Sequence, residues 1–426
     1  MTIRDSRVAP SSDARSSEAP SGPPVPPDPR RSRGGPLNPL VSPDREYPFV
    51  TLENRRRALA PAGIPTINFG MGDPRERTPE FIRDALRLAV PEMSSYPSAY
   101  GQSALRSACA DWLKRRFGVA LDPERQILPA NGTKEAVFSL ALAVIGRDGG
   151  EQRNLVVIPT PAYPVYEAGA RYAGAEPHLV PLRPDRGWRF DPDDVDDATW
   201  SRTALLWLGS PHNPTGSVLD RDALSRIASV AQRHGFWIAA DEAYCEIYFE
   251  GRRPHSMLEV SVDNVLALHT LSKRSAMTGF RSGFMAGDER LIEALRRFRP
   301  NLGTATPDFV QVAAIAAWND DAHPEDQRRR YAEKRAAMLE YFARRGWSVE
   351  ASEASFYLWM KVPDARREAD GATPDRAFVD DLLRAGIIAM PGSLLGAGGE
   401  GYVRWALVPT PEECREAIAR LDRVGT

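Results

Sequence analysis

Four short apolar runs, residues 155–158, 204–208, 236–240 and 265–268, each lead into side chains that can do chemistry. The first leads to Pro159-Thr160-Pro161-Ala162-Tyr163. The second leads to Gly209-Ser210-Pro211-His212-Asn213-Pro214-Thr215-Gly216. The third ends in Asp241-Glu242-Ala243-Tyr244, and the fourth in His269-Thr270-Leu271-Ser272-Lys273. Together they offer an aromatic ring, an amide, a carboxylate with a phenol, and an amine with hydroxyls. The amine stands out because amines are scarce here. Of 55 basic side chains only five are lysines, Lys114, Lys134, Lys273, Lys334 and Lys361, and the other 50 are arginines. An amine becomes a nucleophile or base when it is desolvated or set among other cations. A guanidinium stays protonated, with a pKa above about 12. Lys273 follows an apolar run and precedes Arg274 and Arg281, a setting that suits an activated amine.

Pyridoxal phosphate asks for this set: an amine to hold its aldehyde, a carboxylate to keep its ring nitrogen protonated, and an anion site for its phosphate. Gly132-Thr133, at the start of a helical stretch, supplies N–H groups and a hydroxyl for the phosphate.

These groups need a scaffold. Residues 78–86, 105–117, 134–145, 222–234 and 325–345 read as helices, and 284–286, 356–360, 387–390 and 403–407 as further strands. Strands alternating with helices predict an α/β fold with a mostly parallel, doubly wound sheet. Ligands of such sheets sit beyond the carboxyl ends of the strands, where the four reactive clusters fall. The pattern changes after Pro307, which predicts a second, α+β part. The expected organisation is a disordered Pro/Ser/Arg-rich tail over 1–36, an arm and small-domain segment over 37–75, a large cofactor domain over 76–306, and a small C-terminal domain over 307–426.

The order and spacing of Asn213-Pro214-Thr215-Gly216, Asp241-Glu242-Ala243-Tyr244 and Ser272-Lys273, with Gly279 and Arg281 beyond, resemble the class I/II aminotransferases of the fold type I pyridoxal-phosphate superfamily. Leu271-Ser272-Lys273-Arg274-Ser275 and Ala317-Trp318-Asn319-Asp320 bring the closer resemblance to succinyldiaminopimelate aminotransferases, which extends over residues 37–407. The resemblance implies a seven-stranded sheet in the large domain. It implies that Lys273 holds the cofactor and then moves the proton, that Asp241 pairs with the ring nitrogen, and that Tyr244 and Asn213 hydrogen-bond the ring oxygen. Tyr163 would stack on the ring. Gly132, Thr133, Lys134, Thr270, Ser272 and Arg281 would surround the phosphate, and Tyr96 would reach the phosphate of a neighbouring subunit, implying a homodimer. Gly72, Asn213 and Arg404 would receive the substrate, Arg404 as a bidentate partner of its carboxylate.

The expected reaction is transamination of an N-succinyl-2-amino-6-oxopimelate type substrate with glutamate as donor. Other aminotransferases (alanine, aspartate or aromatic type) and pyridoxal-phosphate lyases share these residues, so they stay open. So does a pyridoxal-phosphate-binding sensor, although that form needs a DNA-binding module which the short Pro-rich N-terminal segment does not resemble. An ATPase would carry G-x-x-x-x-G-K-[ST] before a lysine, and a serine hydrolase G-x-S-x-G; neither is present. The six histidines and three cysteines lack metal-site spacing, so no metal is expected. A net charge of −2 predicts no nucleic-acid partner. No apolar run approaches the ~18 residues of a membrane span, and a cytoplasmic protein is expected.

Overall fold

The computed structural model of the chain describes residues 37–42, 46–61, 63–146, 153–363 and 373–424. The tail expected to be disordered, residues 1–36, lies outside them. Residues 37–42 belong to one unit and the chain from Glu46 onward to another. In the first, a single 3-10 turn, Pro39–Val41, is capped by the Asn38 side chain, which accepts from the Leu40 N–H at 2.9 Å.

The second unit is built on a seven-stranded sheet. Its strands are β1 (Ile127–Ala130), β2 (Leu155–Thr160), β3 (Glu176–Pro181), β4 (Thr203–Gly209), β5 (Trp237–Asp241), β6 (Val265–Thr270) and β7 (Gly283–Gly287), in the spatial order β1-β7-β6-β5-β4-β2-β3. Only β7 runs against the others. Side chains alternate between the two faces of a strand. Val157, Leu206, Leu208, Ile238, Ala240, Val265 and Ala267 enter one core, while Val156, Ile158, Leu205, Trp207, Ala239, Leu266 and Leu268 enter another. Both faces are therefore covered, which is why the strands read as unbroken apolar runs. Helices Ser103–Phe117, Arg221–His234 and Asp308–Trp318 supply the first core, and Thr133–Val144, Val165–Tyr172 and Glu289–Phe298 the second. This is the doubly wound α/β architecture.

Two strands, β1 and β3, have no counterpart among the apolar runs. Each contains proline: Pro129 in β1, Pro177 and Pro181 in β3. Proline cannot donate to a ladder and favours edge strands, and these two strands are the edges; in the interior strand β2 the proline, Pro159, comes only after the apolar run 155–158.

Towards the C-terminus, Met390–Pro391, Tyr402–Ala406, Tyr357–Lys361 and Val349–Glu350 form a four-stranded antiparallel sheet in that order. The single strand expected over 387–390 is split. Ile387–Ile388 turns away to pair in parallel with Ile67–Asn68. That pairing brings the segment around Gly70–Asp73 next to the C-terminal sheet.

Register sets the site. Gly209 pairs with Asp241, and Asp241 with Leu268. The carboxylate at the end of β5 thus lies beside the amide-bearing loop after β4, and two residues short of Thr270 at the end of β6. Among the described residues, no helix is long and apolar enough to cross a membrane.

Candidate active site

A cavity of about 380 Å³ opens beyond the carboxyl ends of β2, β4, β5 and β6. Every residue singled out from the sequence lines it except Gly132 and Tyr96.

Lys273 is the third residue of a one-turn helix, Leu271–Arg274, whose start is capped by Thr270: its hydroxyl oxygen accepts from the Ser272 N–H at 3.1 Å. The turn aims the Lys273 amine into the cavity, where it donates to the Gly72 carbonyl. Its Nζ lies 5.7 Å from the centre of the Phe356 ring. Burial lowers its pKa from 10.5 to about 8; Arg404 and Arg281 push the same way, while Asp73 and Asp241 oppose. Desolvation disfavours the ammonium form, so the amine is poised near neutrality.

Asp241 accepts from the Tyr166 hydroxyl at 2.6 Å and from the Ala243 N–H at 3.2 Å. Burial raises its pKa above the ordinary carboxylate value, and the Tyr166 hydrogen bond, the Ala243 N–H and Lys273 counter this. Tyr166 is itself fixed, stacked on Trp207 of β4 with centroids 4.5 Å apart and planes 7° from parallel.

Across the cavity, the Tyr244 and Tyr357 hydroxyls are 2.9 Å apart. Arg404, in the strand Tyr402–Ala406, is only 1% exposed. It donates to the Asn213 side-chain oxygen at 2.8 Å and to the Gly70 carbonyl at 2.7 Å, and its guanidinium lies 4.4 Å over the Tyr357 ring. Its Nε is buried with no hydrogen-bond partner among the described residues.

Gly132 caps the helix Thr133–Val144 with φ +73°. A Cβ on Gly132 would stand 2.3 Å from the Arg281 guanidinium. Glycine is thus required twice, for the left-handed backbone and to keep a hollow between the helix N-terminus and Arg281. Gly72 shares the second of these constraints: a Cβ there would lie 2.1 Å from the Tyr357 hydroxyl. The Lys134 amine donates to the Tyr47 hydroxyl at 3.3 Å and lies 4.7 Å over that ring. Tyr163 stands on the cavity wall, edge-on to Tyr166 at 5.7 Å. Tyr96 is fully exposed and is not part of this chain's cavity.

Sequence reasoning missed three aromatic residues. Tyr166 follows Tyr163 by one helical turn, the spacing that places two side chains together. Tyr357 lies in the strand Tyr357–Lys361, directly opposite Ala406. Tyr47, far from the strand ends in sequence, lines the cavity and holds the Lys134 amine.

The residues fit pyridoxal phosphate on three structural counts. Lys273 is an amine that gives up its proton near pH 8, well below an ordinary lysine. Asp241 is a buried carboxyl whose charge is incompletely compensated, which a pyridinium N–H would complete. Gly132 leaves a hollow at a helix N-terminus facing a guanidinium, the composition of a phosphate site. The expected pH dependence follows. Between about pH 8 and 10.5 the unfolded chain holds the Lys273 proton and the folded chain does not, so this group makes the folded cofactor-free protein more stable as pH rises through that window. The free amine appears over the lower edge of the same window. Uptake of pyridoxal phosphate by cofactor-free protein, followed by absorbance, is expected to accelerate with a midpoint near pH 8. A midpoint at 10.5 would mean that the amine is not desolvated.

A sheet with its amine, carboxylate and anion hollow at the strand ends defines a pyridoxal-phosphate-dependent enzyme. The chain belongs to the aminotransferase class I and II family, whose family model matches residues 64–421. It is similar to the LL-diaminopimelate aminotransferase of Desulforudis audaxviator, 36% identical over 385 residues, covering 88% of this chain and 94% of that one. It is also similar to LL-diaminopimelate aminotransferase 2 of Trichormus variabilis, 33% identical over 386 residues, with 89% and 96% covered. Among solved structures, an aminotransferase from Neisseria meningitidis matches with a TM-score of 0.83 at 36% identity, covering 91% of this chain and all of that one. The probable N-succinyldiaminopimelate aminotransferase of Thermus thermophilus matches with a TM-score of 0.79 at 29% identity, with 88% and 99% covered.

Proposed function

We propose that this aminotransferase exchanges an amino group between LL-diaminopimelate and the glutamate/2-oxoglutarate pair, acting as a homodimer. The observation that carries the substrate class is the similarity, over 88–89% of the chain, to several LL-diaminopimelate aminotransferases. The cavity chemistry supports it. Asp73 stands on the wall with Lys273 and Arg404, and a carboxylate among cations suits a substrate whose far end carries an ammonium as well as a carboxylate. The second reading is the N-succinylated substrate, in which that ammonium becomes a neutral amide. The motifs around Lys273 and Trp318 favour it, as does the likeness to the Thermus thermophilus structure.

When bound, pyridoxal phosphate supplies an electron sink for the charge left on the substrate's α-carbon. The chain's residues do the rest. Lys273 would hold the cofactor at rest and then act as the base that takes the proton from the substrate α-carbon and as the acid that gives it back. Asp241, held in place by Tyr166, would keep the ring nitrogen protonated. Tyr244 and Asn213 would donate to the ring oxygen, and Tyr163 would cover the ring face. The N–H groups after Gly132, the hydroxyls of Thr133, Thr270 and Ser272, the Lys134 backbone N–H and Arg281 receive the phosphate. Arg404 takes the α-carboxylate beside Gly72. Tyr96 serves the partner subunit's phosphate. Leu88, Val90 and Met93 near it are all more than half exposed in the single chain, as an apolar dimer surface would be.

Mixing the holoenzyme with single amino acids tests the substrate. LL-diaminopimelate and glutamate are expected to bleach the cofactor absorbance, and N-succinyl-LL-diaminopimelate to do so more slowly. Faster bleaching by the succinylated compound would favour the second reading. Bleaching by alanine or phenylalanine alone would overturn both.

A further inference from the structure

Lys334 lies in the helix His323–Arg344, in a charged stretch that reads as solvent-facing. Its side chain is instead 1% exposed and paired with Glu76, whose side chain is 9% exposed. Tyr331, one turn earlier, donates its hydroxyl to the other Glu76 oxygen at 3.0 Å, and the Lys334 amine lies 4.6 Å over the Tyr331 ring. A buried ion pair is an expensive way to fill space, because desolvating two charges can exceed what their attraction returns. An apolar pair would pack at least as well. What the charged pair adds is a fixed position for Glu76.

Glu76 belongs to the segment that roofs the cavity. Four residues before it, the Gly72 carbonyl receives the Lys273 amine, and Met71 and Asp73 stand on the cavity wall. The segment starts at Asn68, whose side-chain oxygen accepts from the Gly70 and Met71 N–H groups at 2.8 and 3.2 Å. It ends at Thr78, whose hydroxyl donates to the Ala276 carbonyl at 2.6 Å. Up to Gly72 the segment is tied by Arg404 to the Gly70 carbonyl and by Lys273 to the Gly72 carbonyl; over residues 73–77 the hydrogen bonds among the described residues are those of Glu76 and Arg75. Its outer side borders a groove of about 760 Å³ lined by Arg75, Glu76, Thr78, Lys334 and Thr410. Of those hydrogen bonds, the Arg75 tie to Glu413 at 2.8 Å is largely exposed, and such pairs contribute little.

We propose that Lys334 and Tyr331 are positioning residues: through Glu76 they set the height of residues 72–78 over the cavity, and so the affinity for substrate. None of the three lines the cavity. The inference rests on that cavity being the substrate site. It does not depend on which amino acid is used, so any donor turned over by the wild type serves as the probe.

The test compares three variants as holoenzymes: the charge-free pair Glu76→Leu/Lys334→Met, the milder Tyr331→Phe, and the charge-retaining Lys334→Arg. Steady-state kinetics are read beside amide hydrogen exchange. The charge-free pair is expected to raise KM about tenfold with kcat little changed, the signature of lost ground-state positioning. Exchange should quicken in residues 69–78 and not across the central sheet. Tyr331→Phe is expected to raise KM about two- to threefold, and Lys334→Arg to restore most of the wild-type KM. If the charge-free pair does not fold, Tyr331→Phe decides the matter. An unchanged KM with unchanged exchange in 69–78 would overturn the proposal, and so would exchange that quickens everywhere together with a fall in kcat.

Discussion

Replacing Lys273 by alanine is expected to lower turnover by about 10²–10⁴-fold, the usual worth of a positioned acid–base group, while leaving the fold intact. The side chain ends in a cavity, so its removal takes nothing from either hydrophobic core. The only hydrogen bond it gives up among the described residues is to the Gly72 carbonyl. No other lysine can take over. Lys134 is the other lysine on the cavity wall, and its amine is engaged by Tyr47. Lysine to arginine is expected to be as damaging as alanine, because the guanidinium keeps its proton and cannot act as a base. Steady-state rates and thermal melts of both variants check this. An alanine variant that melts normally and retains wild-type turnover would remove Lys273 from the reaction.

Asp241→Asn is expected to cost about 10²–10³-fold in turnover, the scale for removing one preorganised electrostatic contact. The amide is nearly the same size, so Tyr166 can still donate to its oxygen. What disappears is the negative charge that holds a proton on the ring nitrogen. The effect should therefore appear in turnover and in the cofactor's absorbance, with little change in melting temperature. Burial raises the Asp241 pKa, and a cationic ring beside it would lower it again; binding of cofactor to the wild type should accordingly depend more on pH, through this group, than binding to the asparagine variant. Equal turnover in the two proteins would contradict the assigned role.

Much of this site is legible in the sequence, because parallel strands buried on both faces announce themselves as apolar runs and their ends fall at one edge. Asp241, Asn213, Lys273 and Tyr163 each follow such a run, and register alone brings them together. The edge strands β1 and β3 escaped because Pro129, Pro177 and Pro181 break the pattern that central strands show. Tyr166 and Tyr357 escaped for a different reason: aromatic residues are common in cores, and nothing in their spacing tells a hydroxyl aimed at a carboxylate from one that is merely buried. The burial of Lys334 is hidden in the sequence because its neighbours along the helix are charged. Its partners, Glu76 and the roof segment, arrive from more than 250 residues away, and helical periodicity carries no information about that. Arg404 is the converse case. Among 50 arginines it was separable only by its place in a family pattern, and its burial and its bonds to Asn213 and Gly70 explain that place.

The central claim is that one of five amines carries the cofactor, and chemistry can ask each of them. Borohydride reduction of the holoenzyme makes the bond between cofactor and lysine permanent, and peptide mass spectrometry then finds the labelled residue. The expected result is a pyridoxyl group on Lys273 alone, with Lys114, Lys134, Lys334 and Lys361 unlabelled. A label on Lys134 instead, or labels scattered over the exposed lysines with Lys273 free, would contradict the account.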